Sequence, residues 1–252
     1  GSYVFTDLKS LNNHQFASFS FYNNNGKEHY ALQLSSTPFE LVPGNDKSTS
    51  FTGYANINIS NLSSTPGNWG GAGTLASPYV YTPDPATDNI NINYTEIQDR
   101  IVQSDGYVTI KTDFTNGTKA GAIFINNAIT ASNTNSSKRV LALTAKKYIY
   151  VNQAIALSSN SASGSVVPEI NISSDSIYIN AAVTANGANT STSAAKAANG
   201  GAITLNSAAG RVIIAATGSL ESKGANNINA TARSLGGDGG VVSIIGQNGV
   251  TI

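Results

Sequence analysis

Several irregularly spaced segments of the chain repeat one pattern of alternating aliphatic residues, and this repetition limits the fold more than any other feature. Ile125-Asn126-Asn127-Ala128-Ile129 is echoed by Val151-Asn152-Gln153-Ala154-Ile155, by Ile179-Asn180-Ala181-Ala182-Val183 and, more loosely, by Ile214-Ala215-Ala216 leading to Leu220. Two residues before each start stands another aliphatic, Ile123, Ile149, Ile177 and Val212, and Val250-x-Ile252 begins a fifth copy. Upstream lies a second alternating pair each time: Val108 and Ile110, Leu141 and Leu143, Ile170 and Ile172, Ile203 and Leu205, Val242 and Ile244. Alternation of this kind marks a strand with one buried face. The repeating unit is therefore strand, turn, strand, bend, strand.

Equivalent residues 125, 151, 179, 214 and 252 are about 26, 28, 35 and 38 apart. Such irregular spacing fits a solenoid whose extra residues enter at one corner. The growth falls after the third strand, in 185–201 and 222–240, both rich in Ala, Asn, Ser and Gly, which read as surface excursions. Equivalent strands one coil apart can pair in parallel at about 4.8 Å, stacking their inward aliphatics into columns. The expected fold is all-β: a right-handed parallel β-helix over 107–252, with loop and strand excursions. Asn126, Asn152 and Asn180 fall at one bend, where stacked amides can bond each other. They read as a structural Asn ladder.

Residues 3–106 read as an aromatic-rich β region of irregular or decorated coils. About 16 of the 20 aromatic residues precede Phe124. Phe16-x-Ser18-Phe19-x-Phe21, Tyr30-x-Leu32-x-Leu34, Tyr54 to Ile59 and Ile90-x-Ile92-x-Tyr94 read as strands. Ser64 to Asp88 holds four of the seven prolines and no period, and reads as one long loop. Gly1 and Ser2 read as a cloning scar, so the chain is expected to be a piece of something longer, with any export signal upstream.

Charge gives no electrostatic partner: 14 basic residues balance 14 acidic ones in 252. A nucleic-acid binder carries a basic excess or stripe, so none is expected. The longest apolar runs, such as Val212 to Ala216, fall far short of the roughly 18 residues of a membrane helix, so no membrane insertion is expected. With no cysteine in the chain, disulfides, thiolate metal sites and cysteine nucleophiles are excluded. About 30 Asn, with many Ser, Gly and Thr, favour strands and turns over helices.

Trp69, Tyr79 and Tyr81 lie in the Ser64–Asp88 stretch beside Asn68, Asp84 and Asp88, a mixture suited to sugars: aromatic faces stack on pyranose rings and amides or carboxylates bond hydroxyls. The competing reading is that the aromatics pin the segment to the sheet. Asp113, Glu169, Asp175, Glu221 and Asp238 are scattered over unrelated corners, and His14 and His29 have no evident nucleophile beside them. Glycoside hydrolysis needs paired carboxyls, so no catalytic residue, cofactor or metal is assigned and the chain is read as no enzyme. Leu235 to Gly240 matches the start of a calcium-binding nonapeptide but occurs once, and reads as a turn. Asn-x-Ser/Thr sequons occur at Asn58, Asn61, Asn93, Asn116, Asn135, Asn171, Asn189 and Asn229, close to the number chance gives.

The segments GGAITLNSAAGRVIIAATGSLESKG (Gly200 to Gly224) and GGDGGVVSIIGQNGVTI (Gly236 to Ile252) resemble the repeats of filamentous-haemagglutinin-type exoproteins of bacterial two-partner secretion. The resemblance covers about 107–252. The family's secretion domain carries Asn-Pro-Asn motifs, absent here, so the resemblance implies a piece of the mature passenger. Ala72-Gly73-Thr74-Leu75-Ala76-Ser77-Pro78-Tyr79 is similar to the high-molecular-weight adhesins, a branch glycosylated at sequons. What this implies is a secreted or surface adhesin that binds host-cell glycans or glycoproteins, is exported through an outer-membrane transporter and carries sugars on the sequons named above. A passive β-helical stalk or a contact-dependent inhibition exoprotein segment stays open beside it, and a polysaccharide lyase or hydrolase stands third.

Overall fold

The computed structural model describes residues 54–83, 88–103, 106–113, 119–132, 138–159, 168–190, 196–228 and 235–252, and the backbone of 29–32 and 41–44. The chain divides into Gly1–Phe51 and Thr52–Ile252. In the first unit β1 (His29–Leu32) and β2 (Leu41–Gly44) pair antiparallel. The Phe16–Phe21 run and His14 lie outside the described residues.

The second unit opens with β3 (Asn56–Ser60), β4 (Gly67–Gly70), β5 (Tyr79–Pro83), β6 (Asn89–Asn93) and helix α1 (Tyr94–Ile101). Groups of three strands follow: β7 (Tyr107–Lys111), β8 (Ala122–Ile125) and β9 (Ile129–Ser132); β10 (Val140–Thr144), β11 (Tyr148–Val151) and β12 (Ile155–Ser158). After them come β13 (Glu169–Ser174), β14 (Ser176–Ile179) and β15 (Ala182–Asn186), then β16 (Ala202–Ser207), β17 (Val212–Ile214) and β18 (Ser219–Glu221). A last pair, β19 (Val241–Gly246) and β20 (Val250–Thr251), begins the next group. First strands assemble in the order β19-β16-β13-β10-β7-β5-β4, second strands as β20-β17-β14-β11-β8-β3-β6, and third strands as β18-β15-β12-β9. The unit is mostly β, and its sheets are parallel except where β4 meets β5.

Register follows the aliphatic alternation. Val108, Leu141, Ile170, Ile203 and Val242 stand in one line, as do Ile123, Ile149, Ile177 and Val212, and Ile129, Ile155, Val183 and Leu220. From Val108 to Ile203 and from Ile123 to Val212 these residues are buried, each contributing about 1.5–3 kcal/mol of apolar burial. A one-residue slip would turn every member of a line outward, so the pattern fixes the pairing.

The sheets run on across residue 106. β3 lies between β6 and β8, and β5 pairs with β7. Ser64–Asp88 is thus not the single long loop expected from its prolines: Trp69 of β4 faces Tyr81 of β5 in a short antiparallel pair. The expected strand Ile90-x-Ile92-x-Tyr94 also stops early. Asn93 caps α1, its Oδ1 accepting from the Thr95 N–H at 3.0 Å, which turns the chain into a helix at Tyr94. Ile97 and Ile101, four residues apart, bury one face of α1, and α1 packs against β9, the edge of the third-strand sheet. Arg139 closes the other end of the helix, its guanidinium donating to the carbonyls of Val102 and Gln103. At one end two of the sheets finish in β4 and β6, and the third has α1 packed against its edge strand β9.

The described parts of the excursions after β15 and β18, 187–190 with 196–201 and 222–228 with 235–240, pair with each other where their composition suggested surface loops. They run in parallel, with bridges Thr190 to Asn227 and Lys196 to Leu235, and they bury Ala197, Ala198 and Ala225. Glycine permits this closeness. A Cβ on Gly237 would lie 1.9 Å from the Ala198 carbonyl oxygen, and one on Gly201 would lie 2.0 Å from that of Pro168.

Candidate functional site

Trp69, Tyr79 and Tyr81 come together beside α1. Tyr81 belongs to the core at 5% exposure, and its hydroxyl donates to the Thr65 carbonyl. Trp69 is half-buried. Its ring meets Tyr81 edge-on at 5.3 Å, the Arg100 guanidinium lies 4.1 Å from the ring centroid, and its Nε1 donates to Glu96 Oε2 at 2.6 Å. Ser64 Oγ donates to the other Glu96 oxygen at 2.6 Å. Tyr79 is tied by its hydroxyl to Gln103 Oε1 at 2.7 Å, while Asn68 is exposed. Asp84 lies outside the described residues. The aromatic faces a sugar would use are thus partly spent on packing: Tyr81 presents none, and Arg100 lies over the indole of Trp69. Glu96 and Arg100 were not singled out in the sequence because α1 is too short to declare a period.

The bend amides form a continuous ladder. Asn180 Nδ2 donates to Asn152 Oδ1 at 2.9 Å, Asn152 Nδ2 to Asn126 Oδ1 at 2.9 Å, and Asn126 Nδ2 to Asn58 Oδ1 at 2.7 Å. Asn58 Nδ2 in turn donates to Asn91 Oδ1 at 2.9 Å. Asn58 and Asn91 are rungs that the bend alignment does not contain, because they lie within β3 and β6. Replacing Asn152 by leucine removes a donor and an acceptor at once, and should cost roughly 1–3 kcal/mol in urea-induced unfolding.

Beside the ladder, Phe124, Tyr150 and Tyr178 stack face to face, with centroids 5.2 and 4.6 Å apart and planes 3° and 9° from parallel. Each immediately precedes the last aliphatic of its strand, Ile125, Val151 and Ile179, so the repeat carried the signal. Tyr148 leans on Tyr150 and Tyr178, tilted by 45° and 54°. Because the stacked rings cover one another, what they offer outward is edges and hydroxyls. Burial, with Tyr178 and Tyr148 adding to it, pushes the Tyr150 phenol above its ordinary value of 10.0. A raised phenol holds its proton better in the folded state, so this stabilisation is complete below the unfolded value and is lost as pH rises through the folded one. Alkaline unfolding monitored by tyrosine absorbance should therefore flatten in Tyr150→Phe relative to the parent.

The sequons differ in access. Asn58 is committed to the ladder and Asn93 to the helix cap, Asn171 is half-buried in the middle of a sheet, and Asn61 and Asn189 are exposed. Asn116, Asn135 and Asn229 lie outside the described residues. The scattered carboxylates each meet a lysine: Lys111 to Asp113 at 2.9 Å, Lys138 to Glu169 at 2.5 Å, Lys147 to Asp175 at 2.8 Å, Lys223 to Glu221 at 2.5 Å and Lys196 to Asp238 at 2.5 Å. Among the described residues no group of three or more His, Cys, Asp or Glu could hold a metal ion, and no helix is long and apolar enough to cross a membrane.

Comparison with protein-family models, curated proteins and solved structures finds no match to the chain.

Proposed function

We propose that Thr52–Ile252 forms a right-handed parallel β-helix that serves as a rigid stalk segment of a large secreted or surface bacterial exoprotein. One observation carries the reading: equivalent strands pair in parallel through successive three-strand units, with unbroken apolar lines inside and an amide ladder at the bend. Crossover connections between parallel strands of one sheet are right-handed in nearly all proteins, which supports the right hand. Each unit contacts only its neighbours, so length grows by about 4.8 Å per coil without new chemistry. Deleting this segment from its parent exoprotein should shorten its reach and leave recognition intact; loss of recognition would refute the stalk.

The second reading is adhesion to host-cell glycans or glycoproteins, favoured by exposed Asn68 beside Trp69 and Tyr79. Glycan-array binding that Trp69→Ala abolishes supports it. Absence of binding removes it.

A further inference from the structure

We infer that Tyr150 and Tyr178 form an oxidative cross-linking site, at which a one-electron oxidant joins β11 to β14 by a carbon–carbon bond between the two rings. The rings lie 4.6 Å apart, centroid to centroid, with planes 9° from parallel, and they stand in register on neighbouring parallel strands. The pair is bounded within its own line. That line runs from Phe124 through Tyr150 and Tyr178 to Ile213, so each phenol has the other on one side and a side chain without a hydroxyl on the other.

The reacting atoms are the Cε carbons, next to the carbon that bears the hydroxyl, where a phenoxyl radical carries unpaired electron density. Rotation about Cβ–Cγ, a soft torsion with two broad wells, turns a Cε edge of each ring toward the other across the gap and leaves the backbone in place. Tyr148 gives the electron a way out. It is 36% exposed and its ring centroid lies 6.1 Å from that of Tyr150 and 6.4 Å from that of Tyr178, so an oxidant that reaches Tyr148 draws on the stack beside it. Among the described residues no other tyrosine rings touch one another. The chain has no cysteine and no methionine, the side chains that otherwise consume oxidant, and this leaves the phenols and Trp69 to be oxidised.

Each phenol gives one electron to the oxidant and its proton to water. The two phenoxyl radicals pair their electrons in a Cε–Cε bond, and the hydrogen on each joined carbon passes to the ring oxygen, restoring both phenols. The net loss is two electrons and two protons, which one hydrogen peroxide takes up through a haem peroxidase to become two waters. The bond closes the same 28-residue step that separates Asn152 from Asn180, and restricts the unfolded chain as a disulfide would.

The 252-residue chain, kept dilute, is treated with a haem peroxidase and hydrogen peroxide, and separately with photogenerated ruthenium(III) tris-bipyridine and persulfate, a small oxidant that needs no docking. Dityrosine fluorescence should appear at single-chain mass. Digestion after Glu169, which lies between the two tyrosines in the chain, should leave the fragments joined, and the urea midpoint of the oxidised chain should rise. Tyr150→Phe and Tyr178→Phe should each abolish the product, while Tyr148→Phe retains it; Phe124 shows that a ring without a hydroxyl fits this line. Oxidation of the chain unfolded in urea should give a much lower yield. Absence of dityrosine at single-chain mass with both oxidants, a product that survives Tyr150→Phe or Tyr178→Phe, or an equal yield from the unfolded chain would overturn the inference.

Discussion

Replacing Ile149 by alanine is expected to cost about 2–5 kcal/mol of unfolding free energy, read from urea denaturation. Ile149 is 0% exposed and stands between Ile123 and Ile177, themselves fully buried. Parallel strands stacked in register cannot relax around such a loss as a globular core does. The layers above and below are held at the strand spacing by their own hydrogen bonds, so the cavity stays open and its lining loses contact on two sides. Tyr150→Ala, one residue on and facing out, should cost less, because only ring stacking and partial burial are removed.

The second large effect is one of phase. Deleting Tyr150 to Ile177 removes one complete repeat of 28 residues, the spacing between Asn152 and Asn180, and splices Ile149 onto Tyr178. Alternation is preserved, Ile179 still points inward, and the shortened chain should fold cooperatively with a proportionally smaller denaturant slope. Deleting Tyr150 to Ser176, one residue fewer, splices Ile149 onto Ile177 and turns Tyr178 toward the interior. That chain should lose its cooperative transition. Near-equal stability of the two deletions would contradict a stack of equivalent coils.

What the sequence makes legible follows from which residues carry the energy. The pairing of 107–252 could be read because Ile, Leu and Val at alternate positions both build the columns and print the period. Asn126, Asn152 and Asn180 were legible for the same reason, standing at a fixed offset from those aliphatics. Asn58 and Asn91 were not, since β3 enters its sheet out of chain order, between β6 and β8, and breaks the correspondence between spacing and neighbour. The pairing of β4 with β5 was hidden by glycines and prolines that erase alternation, and α1 by its eight residues. The paired parts of the excursions left the weakest trace: Gly201 and Gly237 act by what they lack. At the candidate site, the aromatic residues were identifiable, but their partners Glu96 and Arg100 depend on a helix start set by Asn93.

The place where residues are added also has a consequence for how such a chain can change. Connections after the second strand of each group stay at two to four residues, and the connection after the first strand falls from ten residues between β7 and β8 to one to four in the later groups, whereas the step between equivalent inward residues grows from 26 at Ile125–Val151 to 35 at Ile179–Ile214, with most of the added length after the third strand. The three-strand groups resemble a comb whose teeth lengthen while the spine keeps its pitch. Sequence can be spliced in after the third strand in amounts that need not be equal from one group of strands to the next, while the parallel pairing of the groups is kept.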